Sequence, residues 1–91
     1  MILKDLLNYF DIDVILPEYL YDESFNDVFL KGEVIKENNK YEIVAETRKE
    51  VIHTMIINSD DDYPVVISSE LPNGKTNGVK FPKVKGDLTY I

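Results

Sequence analysis

The chain contains no cysteine and no tryptophan, a single histidine, and only four glycines and four prolines in 91 residues. Without cysteine there are no disulfides and no thiolate metal ligands, so a small secreted disulfide scaffold is excluded and a reducing cytoplasm is the expected location. No apolar run approaches the length that crosses a bilayer. The opening Met1-Ile2-Leu3-Lys4-Asp5 reaches charge within four residues, which does not read as a signal peptide. Basic charge is also scarce. Ten Lys and Arg face 17 Asp and Glu, giving a net charge of −7. A nucleic-acid-binding domain normally carries a basic stripe, so direct contact with DNA or RNA is not expected.

The acidic surplus is uneven. Residues 1–30 hold one Lys and seven carboxylates, a balance of −6, and residues 31–70 a balance of −4. Residues 71–91 hold four Lys and one Asp, a balance of +3. Such a surface repels nucleic acid and anionic lipid and attracts cationic proteins. The length fits one domain over residues 1–91 with a modest core, and the balance of apolar and charged residues is that of a globular chain.

Ile2, Leu3, Leu6, Leu7 and Phe10 fall at helical spacing, with Lys4, Asp5 and Asn8 opposite, so an amphipathic helix is expected over about residues 2–10. The β-branched stretch Ile12–Leu16 reads as a strand ended by Pro17. Pro17-Glu18 suits the first turn of a short helix reaching Tyr21. Asn38-Asn39 divides two alternating runs, Val28 to Thr47, and Asn tolerates positive φ, which predicts a hairpin pairing Glu37 with Lys40, Val34 with Ile43, Gly32 with Ala45 and Leu30 with Thr47. Val51–Asn58 reads as a central strand covered on both sides, with a helix over Arg48–Ile57 as the competing reading. Pro64–Glu70, Val79–Val84 and Leu88–Ile91 follow as strands, Pro82 pushing the second of these to an edge. The fold expected is α+β: an antiparallel sheet of four to six strands with an N-terminal helix on one face. The expected core comprises Ile2, Leu3, Leu6, Leu7, Phe10, Val14, Leu16, Leu30, Val34, Ile43, Ala45, Met55, Ile57, Val65, Ile67 and Phe81.

No catalytic constellation emerges, so an enzyme is not expected. His53, on a strand among apolar neighbours, reads as structural, because a general base needs an orienting partner. Asp60-Asp61-Asp62 reads as a solvated turn; calcium needs six or more oxygens from a shaped loop. Gly74-Lys75-Thr76 lacks the preceding glycine and following helix of a phosphate loop. No metal or other cofactor is expected. Six tyrosines are many for this length, and Tyr favours interfaces. The residues expected to meet a partner are Asp11, Asp13, Glu18, Tyr19, Tyr21, Asp22, Glu23 and Asp27, the partner being a basic protein surface on a nucleic-acid-binding enzyme.

The expected order of elements, together with Leu16-Pro17-Glu18, Ile56-Ile57-Asn58-Ser59-Asp60, Tyr63-Pro64-Val65-Val66-Ile67 and Asn73-Gly74, resembles the phage uracil-DNA glycosylase inhibitor family. In size and charge the chain is also similar to other phage counter-defence proteins such as anti-CRISPRs. The resemblance implies inhibition in a bacterial cytoplasm by a monomer or homodimer. It also implies an acidic residue ahead of Leu-Pro-Glu that enters the enzyme's DNA site, here Asp11 or Asp13. The chain departs from that family in a valine where its last hairpin has tryptophan, and in the added length of the Val28–Thr47 hairpin. A second functional class stays open: a non-catalytic structural or assembly module using an exposed strand edge at Val28 or Val65.

Overall fold

The structure, a computed structural model, describes residues 1–25 and 27–91, with Asp27 and Val28 described in backbone only. Two short helices, α1 (Leu3–Tyr9) and α2 (Glu18–Tyr21), and a 3₁₀ turn (Asp27–Lys31) precede six strands. These are β1 (Glu33–Glu37), β2 (Lys40–Glu46), β3 (Ile52–Asn58), β4 (Val65–Glu70), β5 (Thr76–Phe81) and β6 (Thr89–Tyr90). They form one antiparallel sheet in sequence order, β1 to β6. The α+β class follows. Among the described residues no helix is long and apolar enough to cross a membrane.

α1 arises where the leucine spacing places it. Leu3, Leu6 and Leu7 are buried, while Lys4, Asp5 and Asn8 are exposed. Its end is a Schellman closure. Asp11 adopts φ 55°, its N–H donates to Asn8 O at 3.2 Å, and the N–H of Ile12 donates to Leu7 O at 2.9 Å. Ile12 is buried just beyond the turn, supplying the apolar contact that accompanies this motif. Asp11 thus occupies the left-handed position usually given to glycine.

Residues 12–16 form no strand, contrary to the sequence expectation. The alternation is real: Ile12 and Leu16 are buried while Asp13 and Ile15 are exposed. The backbone of this segment finds phenols instead of a ladder. Leu16 N–H donates to Tyr21 Oη at 2.9 Å, and Tyr21 Oη donates to Val14 O at 3.2 Å. The N-terminus is tied to the end of α2 by backbone bonds, Leu3 N–H to Glu23 O and Phe25 N–H to Met1 O, each 2.8 Å, around an Ile2–Ser24 bridge.

The hairpin register is as expected, Glu37 opposite Lys40 and Val34 opposite Ile43, with Asn38 at φ 52°. The ladder is shorter than expected, because residues 27–31 coil into the 3₁₀ turn and strand pairing starts at Glu33. The expected Gly32–Ala45 and Leu30–Thr47 pairs are therefore absent from the ladder. Gly32 permits the change of direction, since a Cβ there would meet Val44 O at 2.9 Å. Residues 52–58 are strand and not helix. β5 starts at Thr76, Pro82 terminates it, and β6 pairs with its second half, so along that half β5 is not the edge strand that Pro82 suggested.

One face of the sheet carries Tyr41, Ile43, Ala45, Met55, Ile57, Val65 and Phe81, all buried against the helices. Of the expected core, Val34 is exposed (37 %) at the edge, while Ile2, Phe10, Val14, Leu30 and Ile67 are half-buried. Ile12, Leu20, Phe29, Tyr41 and Pro64 join the core unforeseen. The opposite face carries Ile35, Val44, Ile52, Ile56 and Val66 and lies outside the core cluster. β3 is therefore covered on one side, not both.

Replacing Asp11 tests the helix closure. Asp11→Gly relieves the left-handed backbone and preserves or raises stability, whereas Asp11→Ala lowers it by about 1 kcal/mol relative to glycine. Urea unfolding midpoints of the two variants, at equal m-value, measure the difference.

A candidate acidic groove between the two helices

Seven residues of α1 and four of α2 are too few for either helix to persist alone. Each exists because its apolar side packs on the sheet: Leu3, Leu6 and Leu7 from α1, and Leu20 from α2. This arrangement turns the polar sides toward one another across an open groove of about 860 Å³. One wall is Lys4 and Asn8 of α1. The other carries Glu18, Tyr19, Tyr21 and Asp22, and Asp13 and Val14 also line the groove. Three carboxylates against one ammonium leave it net acidic.

Of the eight residues singled out in the sequence, five line this groove: Asp13, Glu18, Tyr19, Tyr21 and Asp22. Asp11 is exposed at the helix stop and does not line it; Glu23 is half-buried just after α2, its carbonyl bonded to Leu3. The side chain of Asp27 lies outside the described residues. Of Asp11 and Asp13, the two alternatives left by the sequence, Asp13 lines the groove and Asp11 does not. Lys4 and Asn8 went unassigned to the site. Their spacing placed them on the polar side of α1, but nothing in it said that α2 would lie alongside.

The tyrosines build the wall. Tyr21 holds the Val14–Leu16 backbone through its hydroxyl, as described above. Tyr19 donates from its hydroxyl to Pro82 O, tying α2 to the segment after β5. Burial raises the Tyr19 pKa above its ordinary 10.0, and the nearby Glu23 carboxylate adds to the shift in the same direction. Among the described residues, the carboxylates that accept hydrogen bonds are Asp60, from Asn39 Nδ2 at 3.1 Å, and Asp61, from the Tyr63 N–H at 3.0 Å. Those of the groove face solvent.

The remaining sequence candidates have structural surroundings. His53 Nδ1 lies 2.8 Å from Ser69 Oγ, directly across β3 and β4, with the Phe29 ring edge-on at 6.2 Å. Asp60 and Asp61 brace a turn. Among the described residues no cluster of His, Asp and Glu is arranged to hold a metal. Gly74, at φ 85°, closes a turn in which its N–H donates to Leu71 O, and a strand follows at Thr76 where a phosphate loop would need a helix.

Tyr19→Phe tests the wall. At neutral pH the loss of the hydroxyl costs about 1 kcal/mol of unfolding free energy. A folded-state pKa raised above 10.0 means that the native state keeps a proton the unfolded chain gives up. That contribution is complete below pH 10.0 and declines as pH rises toward the folded value. The stability gap between wild type and Tyr19→Phe therefore narrows above pH 10, as urea titrations at successive pH values will record.

Comparison with protein-family models, with characterised proteins and with solved structures returns no match for this chain.

Proposed function

We propose that the chain is a small, non-catalytic binding protein that inhibits a nucleic-acid-processing enzyme by presenting carboxylates to its basic DNA- or RNA-binding surface. The observation that carries this reading is convergence. Asp13 comes from the irregular Ile12–Leu16 segment, and Glu18 and Asp22 from the two ends of α2, yet all three line one groove with Tyr19 and Tyr21. Arg or Lys side chains that normally grip phosphates find carboxylates and tyrosine rings there, the chemistry of charge-assisted hydrogen bonds and cation–π contact. The net charge of −7 adds long-range attraction toward such a partner. The resemblance to phage uracil-DNA glycosylase inhibitors makes a bacterial uracil-DNA glycosylase the first enzyme to assay and an RNA-guided nuclease the second. The uncovered apolar face of the sheet favours a second reading, that of an assembly module.

The test is inhibition of these enzymes on their own substrates, with association rates measured at increasing salt. Asp13→Asn and Asp22→Asn each slow association several-fold at low salt, an effect that fades as screening grows. Asp61→Asn, at the far turn, leaves inhibition intact. Inhibition that is indifferent to Asp13 and Asp22 contradicts the reading, as does its absence against both enzymes.

A further inference from the structure

Among the described residues, one face of the sheet lies outside the core cluster. Val44, Ile52, Ile56 and Val66 stand outside the core cluster, and Ile35 beside them is 53 % exposed. The charges on this face are sorted by strand except for Glu70, at the end of β4. β1 and β2 place Glu33, Glu37, Glu42 and Glu46 there against Lys40 alone. β5 places Lys80 there with Thr76 and Gly78 and no carboxylate. The register strings one row across the middle: Ile35, Glu42, Ile56, Val66, Lys80. Its apolar centre, Ile56 and Val66, lies on the two central strands, and its opposite charges lie one strand out on either side.

From this pattern we infer that the open face docks a second copy of the chain, forming a two-layer sandwich about a two-fold axis that runs parallel to the strands between β3 and β4. That operation lays β2 over β5 and β3 over β4 of the other copy. Glu42 meets Lys80 of the second copy twice, and Ile56 meets Val66 of the second copy twice. A two-fold perpendicular to the strands would lay β2 on β2 and set Glu42 against its own image, so the charges select the first arrangement. Five strands about 4.8 Å apart and about six residues long present roughly 500 Å² per copy, so a pair covers roughly 1,000 Å², the lower bound of specific interfaces. The acidic groove lies on the helix side and stays open in such a dimer, which does not depend on the reading of that groove.

Sedimentation equilibrium over a wide concentration range tests the proposal. The wild type approaches twice the chain mass of 10.5 kDa at high concentration. Ile56→Lys stays monomeric with an unchanged far-ultraviolet circular dichroism spectrum. Glu42→Lys and Lys80→Glu each weaken dimerisation about tenfold or more, and the doubly reversed chain regains it. A wild type that remains monomeric throughout overturns the proposal and leaves the face to a different occupant. A dimer insensitive to all three single changes overturns it as well and moves the contact to another surface, such as the free edge of β1.

Discussion

The packing of four leucines on one side of an antiparallel sheet is the interaction on which the rest of this molecule depends. Leu3, Leu6 and Leu20 are fully buried and Leu7 nearly so, against Ile43, Met55, Ile57 and Val65. Each such side chain contributes about 1.5–3 kcal/mol relative to exposure. Without that burial, helices of seven and four residues would not hold their shape. The groove is therefore not a property of the helices. It is a by-product of how the sheet seats them, and it lasts only as long as the core does.

The same packing divides the molecule into two unlike faces. The helix side is layered, closed by tyrosine hydroxyls that take up the backbone polar groups of the irregular Ile12–Leu16 segment. The other side is a single layer of strands whose apolar residues lie outside the core cluster and alternate with charged neighbours across the strands. Along the chain, carboxylates gather near its beginning, and Lys83 and Lys85 follow the last long strand. Pro82 accepts the hydroxyl bond of Tyr19, so the basic end is anchored beside α2, yet Lys83 and Lys85 stay out of the groove lining. The acidic groove and the apolar sheet face thus lie on opposite sides of the sheet.

Much of this was legible in the residues, because periodicity is a local property. The leucine spacing of α1, the Asn38-Asn39 turn with its register, and the alternation of β3 and β4 all follow from neighbours in sequence. The failures are places where a distant partner decided. Ile12–Leu16 alternates as a strand should, but its hydrogen-bonding groups were claimed by Tyr21. Leu20 and Phe29 looked like incidental apolar residues and became core because α2 and the 3₁₀ turn fold over the sheet. Val51–Asn58 showed two apolar faces, which suggested cover on both sides; only one side received it. For the site, composition pointed to the amino-terminal acids, and the structure gathers five of the eight chosen residues into one groove. Lys4 and Asn8 could not be assigned to it, since which helix lies opposite is a tertiary fact.

The claim most exposed to experiment is that the cation-seeking surface is localised. A titration of the isotopically labelled protein with a short arginine-rich peptide, followed by amide chemical shifts, tests it residue by residue. The account predicts saturable shifts confined to residues 4–8, 12–14 and 18–23, with the Asp60–Asp62 turn and the β1–β2 hairpin unmoved. Shifts spread evenly over all the acidic residues, or strongest at Asp60–Asp62, would show that the chain offers diffuse negative charge and no groove, and would contradict it.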